Sequence, residues 1–101
     1  MSDQITLSEI KKVIKQKLSL EFTLSSHDIK HRLPHIHVFT GENEVSFDYL
    51  NNDILAPNPS ELKKSDKKAL KELFNFLQKN PKFVEVITEE FYLRNPQLRQ
   101  K

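Results

Sequence analysis

The stretch HIHVFTGENEVSFD, residues 35–48, decides the fold of this 101-residue chain. Apolar and polar residues alternate on both sides of a turn that holds the only glycine of the sequence, Gly41, which reaches a positive φ without steric cost. We predict a β-hairpin with an even connection, because this register gathers four apolar side chains on one face and an odd register does not. The expected pairs are Phe39 with Glu44, Val38 with Val45 and Ile36 with Phe47.

A helix and a first strand are predicted before the hairpin. Thr6 and Glu9 have the spacing of a capping box, and apolar residues at helical spacing follow them, which predicts a helix over 7–18. The period changes to two after this helix. Residues 19–56 therefore predict a small antiparallel sheet of three or four strands around the central hairpin.

The C-terminal part predicts two helices over residues 65–93. Ser65 or Asp66 is the expected cap of the first, and Asn80 followed by Pro81 opens the second. The expected fold class is α+β, with an N-terminal helix, the antiparallel sheet and two C-terminal helices packed on one face of it. The whole chain, 1–101, is expected to form a single domain.

The composition excludes several classes of function. The chain has no cysteine, which excludes a disulfide framework, a thiolate nucleophile and Cys-ligated zinc. The net charge of +2 is too small by itself to indicate a nucleic-acid protein. Charged residues interrupt every apolar stretch and the first residues do not have the pattern of a secretory signal, so we expect a cytoplasmic protein without a membrane segment.

All four histidines lie close together, at positions 27, 31, 35 and 37. Two residues apart on a strand, His35 and His37 project from the same face, opposite the apolar side chains. The even register places Asp48 across from His35 and Ser46 across from His37. His31 precedes the strand closely enough to fold back over this face.

The histidine cluster supports two kinds of chemistry. In the first, it ligates a divalent metal, for which zinc or nickel suits the donors, and a metal-bound water is the nucleophile. In the second, one imidazole is a general base beside the carboxylate and another is a general acid. The plain alternative is that the histidines satisfy hydrogen bonds or pack under the first helix. Since they lie off the core face, alanine substitutions of His35 and His37 are expected to leave the fold intact. The candidate metal ligands are His31, His35, His37 and Asp48.

A basic run precedes and opens the first C-terminal helix. Positive charge at a helix N-terminus opposes the macrodipole, so the run is a candidate for binding phosphate or an acidic partner. A solvated helix face explains the same pattern. No aromatic residues interleave with these lysines as a single-strand binder needs, so nucleic acid is not the favoured partner. The candidate residues are Lys63, Lys64, Lys67 and Lys68.

Residues 31–38, HRLPHIHV, resemble the signature of a small bacterial family called domain of unknown function 4160, which is close to HxPPHFHV. Leu33 stands where that signature has a proline. The resemblance implies a strand, the histidine segment, a hairpin and a helical C-terminal half. It also implies a short cytosolic bacterial protein, of a kind sometimes found near toxin–antitoxin-like partners, and it assigns no reaction. The matching positions are His31, Pro34, His35, His37 and Val38.

Three functions are consistent with these patterns. The first is a binding module whose histidine-rich hairpin face coordinates a divalent metal or contacts a partner. The second is a metal- or His-dependent hydrolase of RNA or phosphate esters, as a toxin–antitoxin-like component. The third is a purely structural protein-interaction module that uses a sheet edge or the lysine run. Phe39, which projects onto the histidine face, and Phe76 of the first C-terminal helix are candidate docking residues.

Overall fold

The chain folds as an α+β structure, which confirms the predicted fold class. The computed structural model describes residues 5–25 and 32–98. Within these ranges, none of the helices is both long enough and apolar enough to cross a bilayer. The elements are α1 (Leu7–Leu18), β1 (Glu21–Thr23), β2 (Ile36–Phe39), β3 (Glu44–Asp48), β4 (Asp53–Ala56), α2 (Lys64–Gln78) and α3 (Pro81–Arg94), with short 3₁₀ turns at Pro59–Glu61 and Pro96–Leu98.

The sheet is a meander in which each strand pairs antiparallel with the next, so β1 and β4 are its edges. The β2–β3 hairpin has the predicted even register, with Val38 opposite Val45. The Thr40 N–H donates to the Asn43 carbonyl (2.9 Å) to close the connection, and Gly41 takes a φ of 85° inside it. The other predicted pairs, Phe39 with Glu44 and Ile36 with Phe47, are also present.

One apolar core lies between the sheet and the helices. The inward side chains of the hairpin are completely buried, and Phe22 of β1 joins them because it pairs with Val38. Burial of apolar surface is the main stabilising contribution to such a fold, so this face of the sheet is committed to the core. We call the opposite side the outer face; its residues on β1, β2 and β3 include Glu21, Thr23, His37, Phe39, Glu44 and Ser46.

The start of α1 is held by the predicted capping box. The Thr6 N–H donates to the Glu9 carboxylate (2.9 Å), and the Glu9 N–H donates to the Thr6 hydroxyl (3.1 Å). α3 begins at Pro81, as predicted. The Asn80 side chain, however, donates to the Phe76 carbonyl at the end of α2 (2.7 Å) instead of capping α3.

The predicted N-cap position of α2, at Ser65 or Asp66, is wrong, because the N-cap residue is Lys63 and the helix already begins at Lys64. Asp66 is its third residue, and the Asp66 carboxylate reaches back to accept the N–H of Lys63 (3.1 Å). The same carboxylate accepts a hydrogen bond from the Asn43 side chain in the hairpin connection (2.9 Å). Asp66 therefore both caps α2 and ties it to the hairpin.

This double role makes a pH-dependent prediction. The bond from the Lys63 N–H holds the pKa of Asp66 below its usual range. A carboxyl group whose pKa is lower in the folded state stabilises above its unfolded pKa, and that contribution is lost as the pH falls through the folded pKa. Asp66→Asn should therefore lower the free energy of unfolding at pH 7 and flatten its decline below about pH 4.

Urea denaturation of both proteins at neutral and acidic pH measures this difference. Glu72→Gln, which changes an exposed carboxylate in the middle of the same helix, is the matched control. Equal losses for Asp66→Asn and Glu72→Gln at both pH values would contradict the capping role.

Candidate functional site

His35 is a core residue rather than an exposed ligand. The chain enters β2 only at Ile36, and the His35 side chain is completely buried. Its Nδ1–H donates to the Leu33 carbonyl (2.9 Å), and its ring lies edge-on to the ring of Phe91 in α3, with 5.4 Å between centroids. The expectation that His35 lies off the core is therefore wrong. The plain alternative, packing under a helix, describes His35, although the helix is α3 and not α1.

Asp48, the predicted carboxylate of the histidine cluster, is engaged in the turn after β3. Its strand partner is Asp53 of β4. Its carboxylate accepts hydrogen bonds from the Leu50 N–H (3.0 Å), the Asn51 N–H (3.2 Å) and the Asn51 side-chain amide (2.8 Å). Three donors within three residues occupy both oxygens, which is the usual role of an Asp that begins a turn.

The structure describes three of the four predicted metal ligands, His35, His37 and Asp48, and it brings the rings of His35 and His37 together, with 5.3 Å between centroids. Across 5–25 and 32–98, no group of three or more His, Asp or Glu side chains is placed to hold a metal ion. His35 is buried and Asp48 is bound to its own turn, so neither is oriented as a ligand. His31 and His27 lie outside the described residues, and the metal site stays a prediction.

His37 is the histidine that the outer face presents. Its side chain is 16% exposed, and both ring nitrogens have partners. Nε2 contacts the Ser25 hydroxyl (2.5 Å), and Nδ1 lies 3.2 Å from the Glu44 carboxylate and 3.4 Å from the Ser46 hydroxyl. A ring protonated at Nδ1 has this N–H facing the Glu44 carboxylate and the Ser46 hydroxyl, and it accepts the Ser25 O–H at Nε2. We call Ser25, His37 and Glu44 the His37 relay.

Sequence reasoning missed two members of the relay. Glu44 is a diagonal neighbour of His37 across the hairpin, so the register alone was sufficient to suggest it. Ser25 lies two residues beyond Thr23, which pairs with His37. Finding it required the β1–β2 register, which no feature of the sequence fixes.

The predicted lysine site surrounds a carboxylate. Lys63, Lys64, Lys67 and Lys68 are all exposed at the start of α2. Asp66 stands among them, and its carboxylate already occupies the positive end of the helix dipole. The Lys63 ammonium also lies 3.9 Å from the Glu42 carboxylate. The helix N-terminus thus holds an anion of its own, and the lysines form a solvated rim around it.

A groove of about 370 Å³ lies between α1 and the β1 edge of the sheet, and we call it the α1–β1 groove. Phe22 lines it from the core face, whereas Thr23 and Phe39 line it from the outer face. Because residues from both faces of the sheet line the groove, the groove passes across the outer edge of β1, which pairs with no other strand of the described sheet. The described residues that line it are Lys11, Lys12, Lys15, Glu21, Phe22, Thr23 and Phe39.

The chemistry of this groove is basic with an aromatic wall. The Lys11 ammonium lies 5.9 Å from the centroid of the buried Phe22 ring, within the range of a cation–π contact. Phe39, by contrast, is 36% exposed. The Lys15 ammonium lies 2.9 Å from the Glu21 carboxylate, and this bond holds the pKa of Glu21 below its usual range. The sequence pattern indicated Phe39 as a docking residue and gave no role to the three lysines of α1.

Comparison of the chain with protein-family models, with curated proteins and with solved structures gave no match.

Because His35 is part of the core, we predict that its loss destabilises the fold. His35→Ala removes a buried ring and one hydrogen bond, which should lower the free energy of unfolding by about 2 to 4 kcal/mol. His37→Ala removes a partly exposed ring and should cost at least about 1 kcal/mol less. Urea denaturation of the two variants beside the wild type gives both values, provided that the dependence on denaturant is unchanged. Small, equal losses would show that His35 is a surface residue.

Proposed function

We propose that this protein is a protein-binding module that holds an extended acidic polypeptide segment in the α1–β1 groove. One observation carries this proposal: among the described residues β1 is an edge strand, and it lies between three lysines of α1 and the exposed ring of Phe39. The proposal follows the third predicted function, an interaction module that uses a sheet edge, and adds Phe39 of the histidine face to that site.

The edge of β1 supplies the main-chain part of the binding. An edge strand presents N–H and C=O groups on its free side, and an extended peptide can pair with them as an added strand. β1 has only three residues, Glu21–Thr23, so the new ladder is short. Side-chain contacts on either side of the edge must therefore provide much of the affinity.

The charges beside the edge favour an acidic partner. Lys11, Lys12 and Lys15 face the groove, and Glu21 is its only acidic residue within the described part of the chain. The side chains of the Lys15–Glu21 pair are 57% and 63% exposed. Exposed ion pairs contribute little to stability, so a carboxylate of the partner can replace Glu21 beside Lys15 at small cost.

The aromatic content of the groove favours polypeptide over nucleic acid. Single-stranded nucleic acid is held by several aromatic rings on which successive bases stack. Of the two rings that line this groove, Phe22 is 3% exposed and only Phe39 offers a free face. One ring suits a single apolar side chain of a peptide that otherwise contacts the lysines and the strand edge.

Fluorescence anisotropy with a labelled peptide of alternating glutamate and valine tests this binding mode. Phe39→Ala should weaken binding about tenfold, because exposed aromatic anchors carry much of an interface's affinity. Lys12→Glu should weaken it roughly fivefold or more by charge reversal, and added salt should reduce binding to the wild type. N-methylation of alternate peptide nitrogens should also weaken binding, since it removes donors from the added strand.

Lys17→Glu is the matched control, because Lys17 is an exposed lysine of the same helix that does not line the groove. It should leave the affinity within about twofold of the wild type. Equal weakening by Lys12→Glu and Lys17→Glu would mean non-specific attraction. Tighter binding of a single-stranded oligonucleotide than of the peptide would contradict the assignment of the partner.

A further inference from the structure

The His37 relay has the connectivity of an activated serine. The Ser25 hydroxyl meets Nε2 of His37 at 2.5 Å, and Nδ1 of the same ring faces the Glu44 carboxylate at 3.2 Å. In enzymes that form acyl intermediates, the hydroxyl is the nucleophile, the imidazole is its general base and the carboxylate orients and stabilises the charged ring. Such an arrangement is recognised by the roles and geometry of its groups, whatever the fold.

Contacts outside the relay hold the Ser25 backbone and the His37 ring in place. The Ser25 carbonyl accepts a hydrogen bond from the side-chain amide of Asn95 (2.8 Å), a completely buried residue that also donates to the Phe91 carbonyl (2.9 Å). His37 is fixed by β2, and its ring lies edge-on to the buried ring of His35, with 5.3 Å between centroids. Contacts other than the Ser25–His37 hydrogen bond therefore fix the positions of both residues, as a preorganised site requires.

The relay adjoins the α1–β1 groove on the outer face. Thr23, which lines the groove, pairs with His37 across β1 and β2. Phe39, which also lines it, pairs with Glu44 across β2 and β3. Phe39 lies on the Glu44 side of the His37 ring, whereas Ser25 lies on the other side of that ring, beyond the end of β1. A hydroxyl with a general base attacks acyl carbons, of which a small carboxylic ester is the simplest source.

We propose that Ser25 is an acyl-accepting nucleophile, with His37 as its general base and Glu44 as the positioning residue, and that its substrates are small carboxylic esters. The Ser25 Oγ forms a bond to the ester carbonyl carbon while its proton moves to Nε2 of His37. The bond from that carbon to the leaving oxygen then breaks, and the leaving alcohol takes the proton from Nε2. Water later attacks the acyl carbon, gives its proton through Nε2 to Ser25, and releases the carboxylic acid. The Glu44 carboxylate faces Nδ1 and stabilises the charge of the imidazolium.

An ethyl fluorophosphonate is the probe that tests the nucleophile. It forms a stable bond to an activated serine oxygen with loss of fluoride, and peptide mass mapping locates the label. We expect one label, on Ser25, formed without any added peptide partner. Ser25→Ala should abolish it. His37→Gln should slow labelling about 100-fold or more, in line with the usual contribution of a general base.

Glu44→Gln keeps the test decisive if His37→Gln fails to fold. Its side chain is 57% exposed, so the substitution should leave the midpoint of urea unfolding unchanged while it slows labelling about tenfold. The ¹⁵N shifts of the His37 ring should also show a smaller share of the Nδ1-protonated form. Ser8→Ala, an exposed serine of α1, should label like the wild type.

Three results would overturn the proposal. The first is wild-type labelling no faster than that of Ser25→Ala. The second is a label on Ser46 or another serine in place of Ser25. The third is unchanged labelling and unchanged ring shifts in Glu44→Gln, which would leave the relay as a hydrogen-bonded link between strands. None of these results bears on peptide binding in the α1–β1 groove, so the two proposals fail separately.

Discussion

The pairing of β2 with β3 is the constraint on which the rest of the structure depends. Side chains alternate between the two faces of a sheet, so the pairing of Val38 with Val45 sends the apolar residues of both strands into the core. A slip of one residue would turn Ser46 inward in place of Val45 and expose apolar surface to water. Exposing apolar area costs about 25 cal/mol per Å², so the loss from turning these core side chains outward would be comparable to the whole free energy of unfolding of a small domain.

The same register determines the chemistry of the outer face. It sets Glu44 diagonally beside His37, and the pairing of Thr23 with His37 brings the end of β1 to the other side of the ring. Phe39 then lies between Glu44 on β3 and Glu21 on β1, beside the groove. Two properties of different kinds, a partnered hydroxyl and a basic groove at a sheet edge, thus arise from one face of one small sheet.

Local signals in the sequence predicted most of the fold and little of the site. Capping and helical spacing gave the ends of α1, and alternation with an even connection gave the hairpin register. His35 was placed wrongly because alternation was extended one residue beyond the start of β2, where the chain turns the ring toward Phe91 in α3. Asp48 was assigned to the histidines although adjacent turn donors at Leu50 and Asn51 were closer competitors. The groove depends on β1 being an edge strand, and only the assembled sheet shows that.

The hairpin register can be measured directly by NMR. Nuclear Overhauser contacts between backbone protons of opposite residues in β2 and β3 report which residues face each other. We expect contacts that pair Val38 with Val45 and His37 with Ser46, together with side-chain contacts between Phe22 and Val38 in the core. Contacts that pair His37 with Val45 would contradict this register, because they would place His37 in the core and separate it from Glu44.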